Sequence, residues 1–389
     1  MEVLFVTHKY PPVIGGMEKQ SFELINGMKK LVNVHTIVYE GKGSRIKFFL
    51  SLNRRITSLC AENPGIKIIH YNDGLIAAFS LLFKQRRHIK QVVTLHGLDV
   101  VYPHSIYQQL ILKKFNRFDL IIAVSRATAN ACVVRGIPAE KIVVINNGVD
   151  TQARPQAKRA DTDLLLQEKY NIDSGARRLL VAIGRPVKRK GFSWFIKKVS
   201  PLLKDDFLLL LIGPVRNKKD RWLMDLLPAA IGKPIELLFG MPGDEQHIEE
   251  LLQDPLIRNR VVRLGKLPYE DMNTLLSVAD AFIMPNIEVS GDMEGFGLVC
   301  LEAAMFGTIV IAAASGGITD AIYPDQNGIL VTPGDHTAWA KTINEYSTTQ
   351  QLLKADIISF TKNHFSWEKM IKDYEAEFLK ICAGNDKDF

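Results

Sequence analysis

Residues 179–191 read LLVAIGRPVKRKG and join an apolar run to a basic turn bounded by glycine. Five consecutive apolar residues without polar alternation predict a strand that is covered on both faces, as in a parallel sheet. Gly184 follows this run directly, and a helical pattern begins near Phe192. The stretch therefore predicts a strand, a tight turn and a helix, which is the repeating unit of α/β folds.

The same unit recurs along the whole chain. Apolar runs predict strands at 2–7, 34–39, 66–71, 91–95, 120–124, 141–145, 179–183, 207–212, 235–239, 261–264, 281–284, 308–312 and 328–332. A chain of 389 residues is long enough for two domains, so we predict two doubly wound, Rossmann-like α/β domains. Because ligands of such sheets bind beyond the carboxyl ends of the strands, we expect the functional cleft where the two domains face each other.

A polar segment after residue 150 marks the predicted boundary between the domains. It loses the strand pattern, begins with polar residues and a proline, and includes a short helical piece. We predict a first domain at 1–152, a hinge at 153–175 and a second domain at 176–366.

Composition excludes several classes of protein. Hydrophobic residues make up 47% and charged residues 23%, which is an ordinary globular balance and argues against wholesale disorder. No apolar run reaches the roughly 18 residues of a membrane span, and no basic leader precedes the first strand. The four cysteines are far apart and lack metal-ligand spacing, so we predict a reducing, cytoplasmic location.

The positive charge is concentrated in the first half of the chain. Residues 1–150 contain 20 lysines and arginines against 10 acidic residues, within a net charge of +7 for the whole chain. Segment 42–60 has five basic residues and no acid, and its apolar residues recur at helical spacing: Lys42, Arg45, Lys47, Arg54 and Arg55 beside Ile46, Phe49, Leu52, Ile56 and Leu59. The pattern predicts either a helix that binds an anionic membrane or a core helix with a basic outer face.

Two glycine-bounded turns could bind an anion. Gly15 and Gly16 follow the first predicted strand and precede a helix, which predicts a phosphate-sized nest or a plain tight turn. The spacing is not G-x-G-x-x-G, which disfavours a nicotinamide cofactor. In the turn after 179–183, Arg185 and Lys190 could converge on a diphosphate, unless this is only a solvated basic loop.

Residues 294–304, EGFGLVCLEAA, follow another predicted strand and a polar loop. Gly295 and Gly297 open a helix whose N-terminus favours an anion, while Glu294 and Glu302 place two carboxylates nearby. Carboxylates beside a phosphate suit a ligand that also carries hydroxyl donors, such as a sugar or ribose. His96, at the end of strand 91–95, could form hydrogen bonds in the cleft, although such a histidine alone is more often structural.

Taken together, these segments resemble the retaining glycosyltransferases of family 4, which have the GT-B architecture of two Rossmann-like domains. Glu294 and Glu302 match the E-x7-E signature of that family. Supporting matches are G-R-x4-K-G at 184–191, P-P-x-x-G-G at 11–16 and the run Asn147-Gly148-Val149-Asp150. The resemblance covers nearly the whole chain and implies that the C-terminal helix, within 367–389, rejoins the first domain.

The resemblance also implies a role for each candidate residue. Arg185 and Lys190 would bind the donor diphosphate together with the backbone N–H groups of Phe296, Gly297 and Leu298. Glu294 would hold sugar hydroxyls and Glu302 the ribose. Gly15 and Gly16 would face the phosphate and the acceptor, and His96 would lie beside the reacting sugar. Glu294, His96, Arg185 and Lys190 are therefore the predicted catalytic set.

The implied reaction moves a sugar from a UDP- or GDP-linked donor to an acceptor hydroxyl, which a lipid can carry, and it retains the anomeric configuration. We expect a role in cell-envelope, exopolysaccharide or glycolipid synthesis, with peripheral contact at the cytoplasmic face of the inner membrane. No D-x-D motif follows a predicted strand, and Asp161-Thr162-Asp163 falls in the hinge, so we predict no metal and no cofactor.

Two departures from the family pattern bear on specificity. Residues 214–234 are predicted to be an insertion. The second departure is Asp320, because many relatives have a glutamate instead, one residue away from this position. A nucleotide-sugar epimerase or phosphorylase on the same fold is the alternative function. A nucleic-acid binder is suggested by a pI of about 9.0 but disfavoured, because aromatic residues do not interleave with the basic clusters.

Overall fold

The computed structural model describes residues 1–83, 86, 88–152, 156–215, 243–346 and 352–383. The chain divides into two compact units, Met1–Val149 with Phe365–Phe389, and Asp150–His364. The predicted strand 235–239 and most of the predicted insertion 214–234 lie outside the described residues.

The first unit contains a parallel sheet, described here with six strands in the order β2-β1-β3-β4-β5-β6. The strands are β1 (Glu2–Thr7), β2 (Asn33–Val38), β3 (Ile66–Tyr71), β4 (Lys90–Leu95), β5 (Leu120–Ala123) and β6 (Ile142–Val144). The helices between them are α1 (Gly16–Met28), α2 (Arg45–Glu62), α3 (Gly74–Ser80), α4 (Leu98–Val101) and α5 (Arg126–Val134). The central strands are buried on both faces, which explains their lack of polar alternation.

The second unit repeats this plan with the described strand order β12-β11-β10-β7-β8-β9. Its strands are β7 (Arg178–Ile183), β8 (Phe207–Ile212), β9 (Val261–Gly265), β10 (Ala281–Met284), β11 (Val310–Ala313) and β12 (Gly328–Val331). Its helices are α6 (Arg159–Tyr170), α7 (Phe192–Lys198), α8 (Glu245–Leu251), α9 (Pro255–Arg258), α10 (Tyr269–Val278), α11 (Leu298–Ala304), α12 (Ile318–Ala321), α13 (His336–Tyr346) and α14 (Lys354–His364). The predicted α/β class with two doubly wound sheets is confirmed.

The last described helix, α15 (Trp367–Ala383), belongs to the first unit and packs on α1. Tyr374 and Phe378 of α15 are fully buried. A Cβ atom added to Gly27 would lie 2.0 Å from Ile371 Cδ1, so α1 and α15 approach each other closely at this glycine.

The chain passes between the units at Val149–Asp150 and returns at His364–Phe365. The Val149 backbone N–H donates to the Phe365 carbonyl at 2.6 Å, and a Cβ atom on Gly148 would lie 2.5 Å from the Trp367 nitrogen. Residues 156–175, which fall in the predicted hinge, are part of the second unit. Their helix α6 buries Leu166 in the core of that unit.

Helix α2 confirms the predicted helical segment and, apart from Ile46, its predicted apolar face. Phe48, Leu52 and Ile56 are its buried residues, whereas Ile46 is 72% exposed and Leu50 is also 72% exposed. The buried stripe follows the i, i+4 spacing from Phe48, so the prediction was wrong in placing Ile46 on that stripe. Within the described ranges, no helix combines the length and the apolar content that a membrane span requires.

Candidate active site

The candidate site of the second unit lies at the topological switch point of its sheet. Strand β7 is followed along the chain by β8 on one side, whereas β10 lies on its other side. The loops after β7 (184–191) and after β10 (285–297) therefore flank one crevice at the carboxyl edge, where α/β sheets bind their ligands. Both loops carry residues that the sequence predicted to be functional.

A charged cluster joins these two loops. Lys190 Nζ lies 2.9 Å from Glu294 Oε2, and an Arg189 guanidinium nitrogen lies 3.4 Å from the same oxygen. Asn286 Nδ2 donates to Glu294 Oε2 at 3.3 Å. Arg189 also lies 3.5 Å from Asp292 Oδ1. All these side chains are largely buried, and Lys190, Arg189 and Asn286 each contact Glu294 at its Oε2 atom.

The cluster keeps Glu294 ionised. Burial alone would raise the pKa of this carboxyl, but the charges of Arg189 and Lys190 outweigh burial and lower it to about 2. Burial lowers the pKa of Lys190, and the Glu294 carboxylate opposes that effect. Burial raises the pKa of Asp292, and Arg189 opposes it. The site is therefore a fixed set of charges of both signs.

The other predicted residues of this unit lie on the same two loops or on α11. Arg185 is exposed, and its charge acts on Asp292. Phe296 is buried, and Gly297 has a φ of +89° and is followed directly by α11. Leu298 is the first residue of α11. Glu302 is also in α11; burial raises the pKa of the neighbouring Cys300 thiol to about 12, and the charges of Glu294 and Glu302 add to that effect.

Glycines allow the loops to pack backbone against backbone. Gly191 has a φ of +66°, and a Cβ atom there would lie 2.1 Å from the Pro285 carbonyl oxygen. A Cβ atom on Gly317 would lie 1.9 Å from the Gly295 carbonyl oxygen. The Gly317 backbone N–H donates to the Glu294 carbonyl at 2.8 Å. Small residues at these points therefore hold the Glu294 loop in place.

The first unit has its own switch point, between β1 and β3. Gly15 and Gly16 follow β1 as predicted, and α1 begins at Gly16. However, a Cβ atom on Gly15 would lie 2.3 Å from Glu18 Oε2, and Lys9 lies 3.7 Å from the other Glu18 oxygen. The carboxylate of Glu18 thus lies against Gly15, on the side where another residue would carry a side chain.

Four titratable side chains surround this edge of the first sheet. His96 Nε2 lies 2.9 Å from the Asn72 carbonyl oxygen, and the His96 backbone N–H donates to Asp99 Oδ2 at 3.0 Å. His8 Nδ1 lies 3.0 Å from Asp73 Oδ2 in a buried pair that lacks hydrogen-bond geometry. Burial would raise the pKa of Asp73, but His8, the Ile76 backbone N–H and His96 together outweigh burial and lower it. Burial raises the pKa of Asp99.

Sequence reasoning missed several of these residues. Arg189 stood in the basic run 184–191 but was passed over in favour of its neighbours. Asn72 and Asp73 directly follow β3, and His8 directly follows β1, so their position after neighbouring strands was a usable signal. Asn286 and Asp292 lie in a polar loop, and their spacing in the sequence does not indicate that they are functional residues.

Metal-ligating clusters are absent from the part of the chain that the structure describes. The literal D-x-D match lies on α6, where Asp163 accepts hydrogen bonds from Arg159 at 2.8 Å and from Ser174 at 2.5 Å.

Comparison with known families identifies the chain. Residues 166–364 match the family model for glycosyl transferases group 1, and residues 2–153 match the model for glycosyltransferase family 4. The chain belongs to the glycosyl transferases group 1 family. This glycosyltransferase thus has the GT-B fold, as the resemblance implied, and the alternative functions are not favoured.

Individual relatives of this glycosyltransferase agree with the assignment. An uncharacterised glycosyltransferase of Methanocaldococcus jannaschii is 21% identical over 96% of each chain. A GDP-mannose-dependent phosphatidylinositol monomannoside mannosyltransferase of Mycolicibacterium smegmatis is 24% identical over 88% of each chain. The crystal structure of Anabaena HepE with UDP superposes with a TM-score of 0.70 at 22% identity, covering 98% of this chain and 100% of the other.

Proposed function

We propose that this glycosyltransferase moves a sugar from a UDP- or GDP-linked donor to an acceptor hydroxyl with retention of the anomeric configuration. The single observation that carries the proposal is the contact of Glu294 with Lys190 and Arg189 at the switch point of the second sheet. The names of two relatives support a nucleotide donor, since one specifies GDP-mannose and the other a complex with UDP.

The charges suit a diphosphate leaving group. As the bond between the anomeric carbon and the leaving oxygen breaks, its electron pair passes to the diphosphate. Lys190 and Arg185, aided by the backbone N–H groups of Phe296, Gly297 and Leu298, stabilise that growing charge more strongly in the transition state than in the ground state. Glu302 accepts from the ribose hydroxyls.

Glu294 orients the sugar in this proposal. Its Oε2 atom carries the contacts with Lys190, Arg189 and Asn286, and the proposal assigns Oε1 to the sugar. An ionised oxygen with open lone pairs accepts hydrogen bonds from sugar hydroxyls. With the pKa of Glu294 held at about 2, the residue serves as an acceptor rather than as a proton donor near neutral pH.

The acceptor hydroxyl attacks on the face from which the diphosphate leaves. Its oxygen bonds to the anomeric carbon, and its proton passes to a departing phosphate oxygen, so that the products are a glycoside and a nucleoside diphosphate. In this scheme His96 lies beside the reacting sugar, and the Gly15–Gly16 turn faces the phosphate and the acceptor. The residues of the cluster supply the charge stabilisation, and we propose that turnover requires no metal.

A lipid-linked acceptor at a membrane surface is the proposed setting. Helix α2 exposes Ile46 and Leu50 next to Lys47 and Arg54, so apolar and basic side chains share its outer face. Basic residues near an anionic leaflet contribute about 1 kcal/mol each. The relative whose name specifies a phosphatidylinositol mannoside acceptor is consistent with glycolipid synthesis.

The decisive experiment is a thermal-shift and turnover screen with UDP, GDP and ADP and their sugar conjugates. One nucleotide should raise the melting temperature, because a ligand at 100 times its Kd stabilises by ~2.7 kcal/mol. With the sugar conjugate of that nucleotide, the enzyme should transfer the sugar to an acceptor. NMR of the product should show the same anomeric configuration as in the donor. An inverted product, or no stabilisation by any nucleotide, would refute the proposal.

A further inference from the structure

Asn72 connects His96 to the buried interior of the first unit. The hydrogen bond of 2.9 Å joins His96 Nε2 to the main-chain carbonyl oxygen of Asn72. A carbonyl oxygen only accepts hydrogen bonds, so Nε2 must carry the proton. Nδ1 has no hydrogen-bond partner among the residues that the structure describes. In the neutral ring, Nδ1 is then an acceptor.

The side chain of Asn72 is itself held in place. Its Nδ2 atom donates to Gln20 Oε1 at 2.7 Å and to Ser21 Oγ at 2.5 Å. Its backbone N–H donates to the Val6 carbonyl at 3.0 Å. Asn72 is 1% exposed, and both side-chain partners are fully buried. The carbonyl that faces His96 therefore has little freedom to turn away.

The network continues to the C-terminal helix. Gln20 Nε2 donates to the Tyr374 hydroxyl at 3.3 Å, and that hydroxyl lies 3.0 Å from Thr94 Oγ1. Thr94 is in β4, two residues before His96, and is fully buried. The connected polar groups thus reach His96 by two routes, through Asn72 and along β4.

We propose that Asn72, held by Gln20 and Ser21, is a positioning residue that fixes His96 as the Nε2–H tautomer and presents Nδ1 to a substrate hydroxyl. The inference rests on the proposed function, in which His96 lies beside the reacting sugar. It adds a specificity rule, since Nδ1 can pair with a group that donates a hydrogen bond and not with one that only accepts.

The first test measures the tautomer directly. Long-range proton–nitrogen NMR spectra of ¹⁵N-labelled protein distinguish the two ring nitrogens, and the His96 signals are those lost in His96→Gln. The wild-type protein should show Nε2–H. Asn72→Ala should give a mixture of tautomers, and its kcat should fall about tenfold or more with a smaller change in KM for the donor.

Controls separate positioning from loss of a buried amide. Asn147→Ala removes another buried asparagine of the same unit and should leave the His96 tautomer unchanged. If Asn72→Ala fails to fold, Ser21→Ala and Tyr374→Phe remove single contacts of the network and should shift the tautomer in the same direction. A wild-type Nδ1–H ring, or an unchanged tautomer in the variants that fold, would overturn the inference.

The second test replaces one ring nitrogen at a time. An asparagine amide at position 96 reaches the place of Nδ1, whereas a glutamine amide reaches the place of Nε2. His96→Asn should therefore retain about tenfold more kcat than His96→Gln. The reverse order would contradict the proposal. If no nucleotide sugar is turned over at all, the proposed function fails, while the NMR measurement still decides the role of Asn72.

Discussion

Lys190 Nζ lies 2.9 Å from Glu294 Oε2, although the two residues come from different loops at the carboxyl edge of the second sheet. The contact places a buried cation and a buried carboxylate in one crevice, each satisfied by the other. The pair therefore presents a fixed electrostatic pattern before any ligand binds, and the proposed reaction relies on such preorganised charge in its transition state.

Removal of a cation from this site should reduce turnover strongly. We expect Lys190→Met and Arg185→Ala each to lower kcat by ~10²- to 10³-fold, because a preorganised charge donor is lost. Lys188→Met is the matched control, since Lys188 is exposed in the same loop and should stay within tenfold of wild type. Steady-state kinetics at saturating donor measures the effect. Activity within tenfold of wild type in both site variants would contradict the assignment.

Arg189 should control the acid side of the pH profile. Because the folded pKa of Glu294 is lowered to about 2, its ionised form persists as pH falls through the ordinary glutamate range and is lost only near pH 2. In Arg189→Gln, the largest of the effects that lower the Glu294 pKa is lost while Lys190 remains, so the pKa should rise and the acid limb of kcat should move to higher pH.

The control for this pH effect is Arg263→Gln. It breaks another largely buried arginine–glutamate pair of the same unit, with Glu245 at 2.6 Å. Measured from pH 4.5 to 8, this variant should keep the wild-type profile shape. An identical acid limb in both variants would show that general loss of stability, rather than protonation of Glu294, causes it.

Gly191→Ala should destabilise the second unit. The substitution combines a left-handed φ of +66° with a clash at the Pro285 carbonyl, for which we expect a loss of about 2 kcal/mol or more in unfolding free energy. Gly175→Ala shares the positive φ, but its nearest neighbour is 3.9 Å away, so about 1 kcal/mol should be lost. Urea unfolding measures the unfolding free energy of both variants. If both lose the same amount, the clash with the Pro285 carbonyl does not contribute to the destabilisation.

The outer face of α2 should bind anionic vesicles. The double variant Ile46→Ser with Leu50→Ser should weaken co-sedimentation at least about tenfold, since two apolar side chains no longer enter the bilayer interface. Leu164→Ser with Leu256→Ser removes two exposed leucines of the second unit and should have no effect. Equal binding to anionic and neutral vesicles, or an equal loss of binding in both double variants, would count against a membrane role.

Chelation should leave sugar transfer largely intact. We expect activity with EDTA within about twofold of untreated enzyme, because the lysine and arginine charges supply the stabilisation that a divalent ion gives elsewhere. Assays with and without chelator, followed by addition of Mg²⁺ or Mn²⁺, measure this. Loss with EDTA and recovery with metal would refute metal-independent transfer.

The fold could be predicted from the sequence because the apolar runs that indicate strands are local features of the chain. The runs that became β1, β3, β7, β8 and β10 are short, apolar and buried on both faces, and the predicted ranges match them closely. Helix α2 was predicted correctly except that Ile46 was placed on its apolar face, because Ile46 and Phe48 are both apolar and only packing decides which one is buried.

The candidate site could be predicted only in part, for a related reason. Glu294, Arg185 and Lys190 stand in spaced motifs beside glycines, so pattern alone marked them. Arg189 and Asp292 carry no such mark, and their role follows from a contact between two loops. Likewise, no spacing predicts that the Glu18 carboxylate lies against Gly15.

The sequence by itself determined the succession of strands, turns and helices, the two sheets and the motifs at the strand ends, because each depends on neighbours along the chain. Only the tertiary structure decided which charges meet: that Lys190 and Arg189 share one oxygen of Glu294, and that Asn72 turns its carbonyl to His96. The physical reason is that the pKa of a buried group and the direction of its hydrogen bonds depend on atoms brought together by folding, which spacing along the chain does not encode.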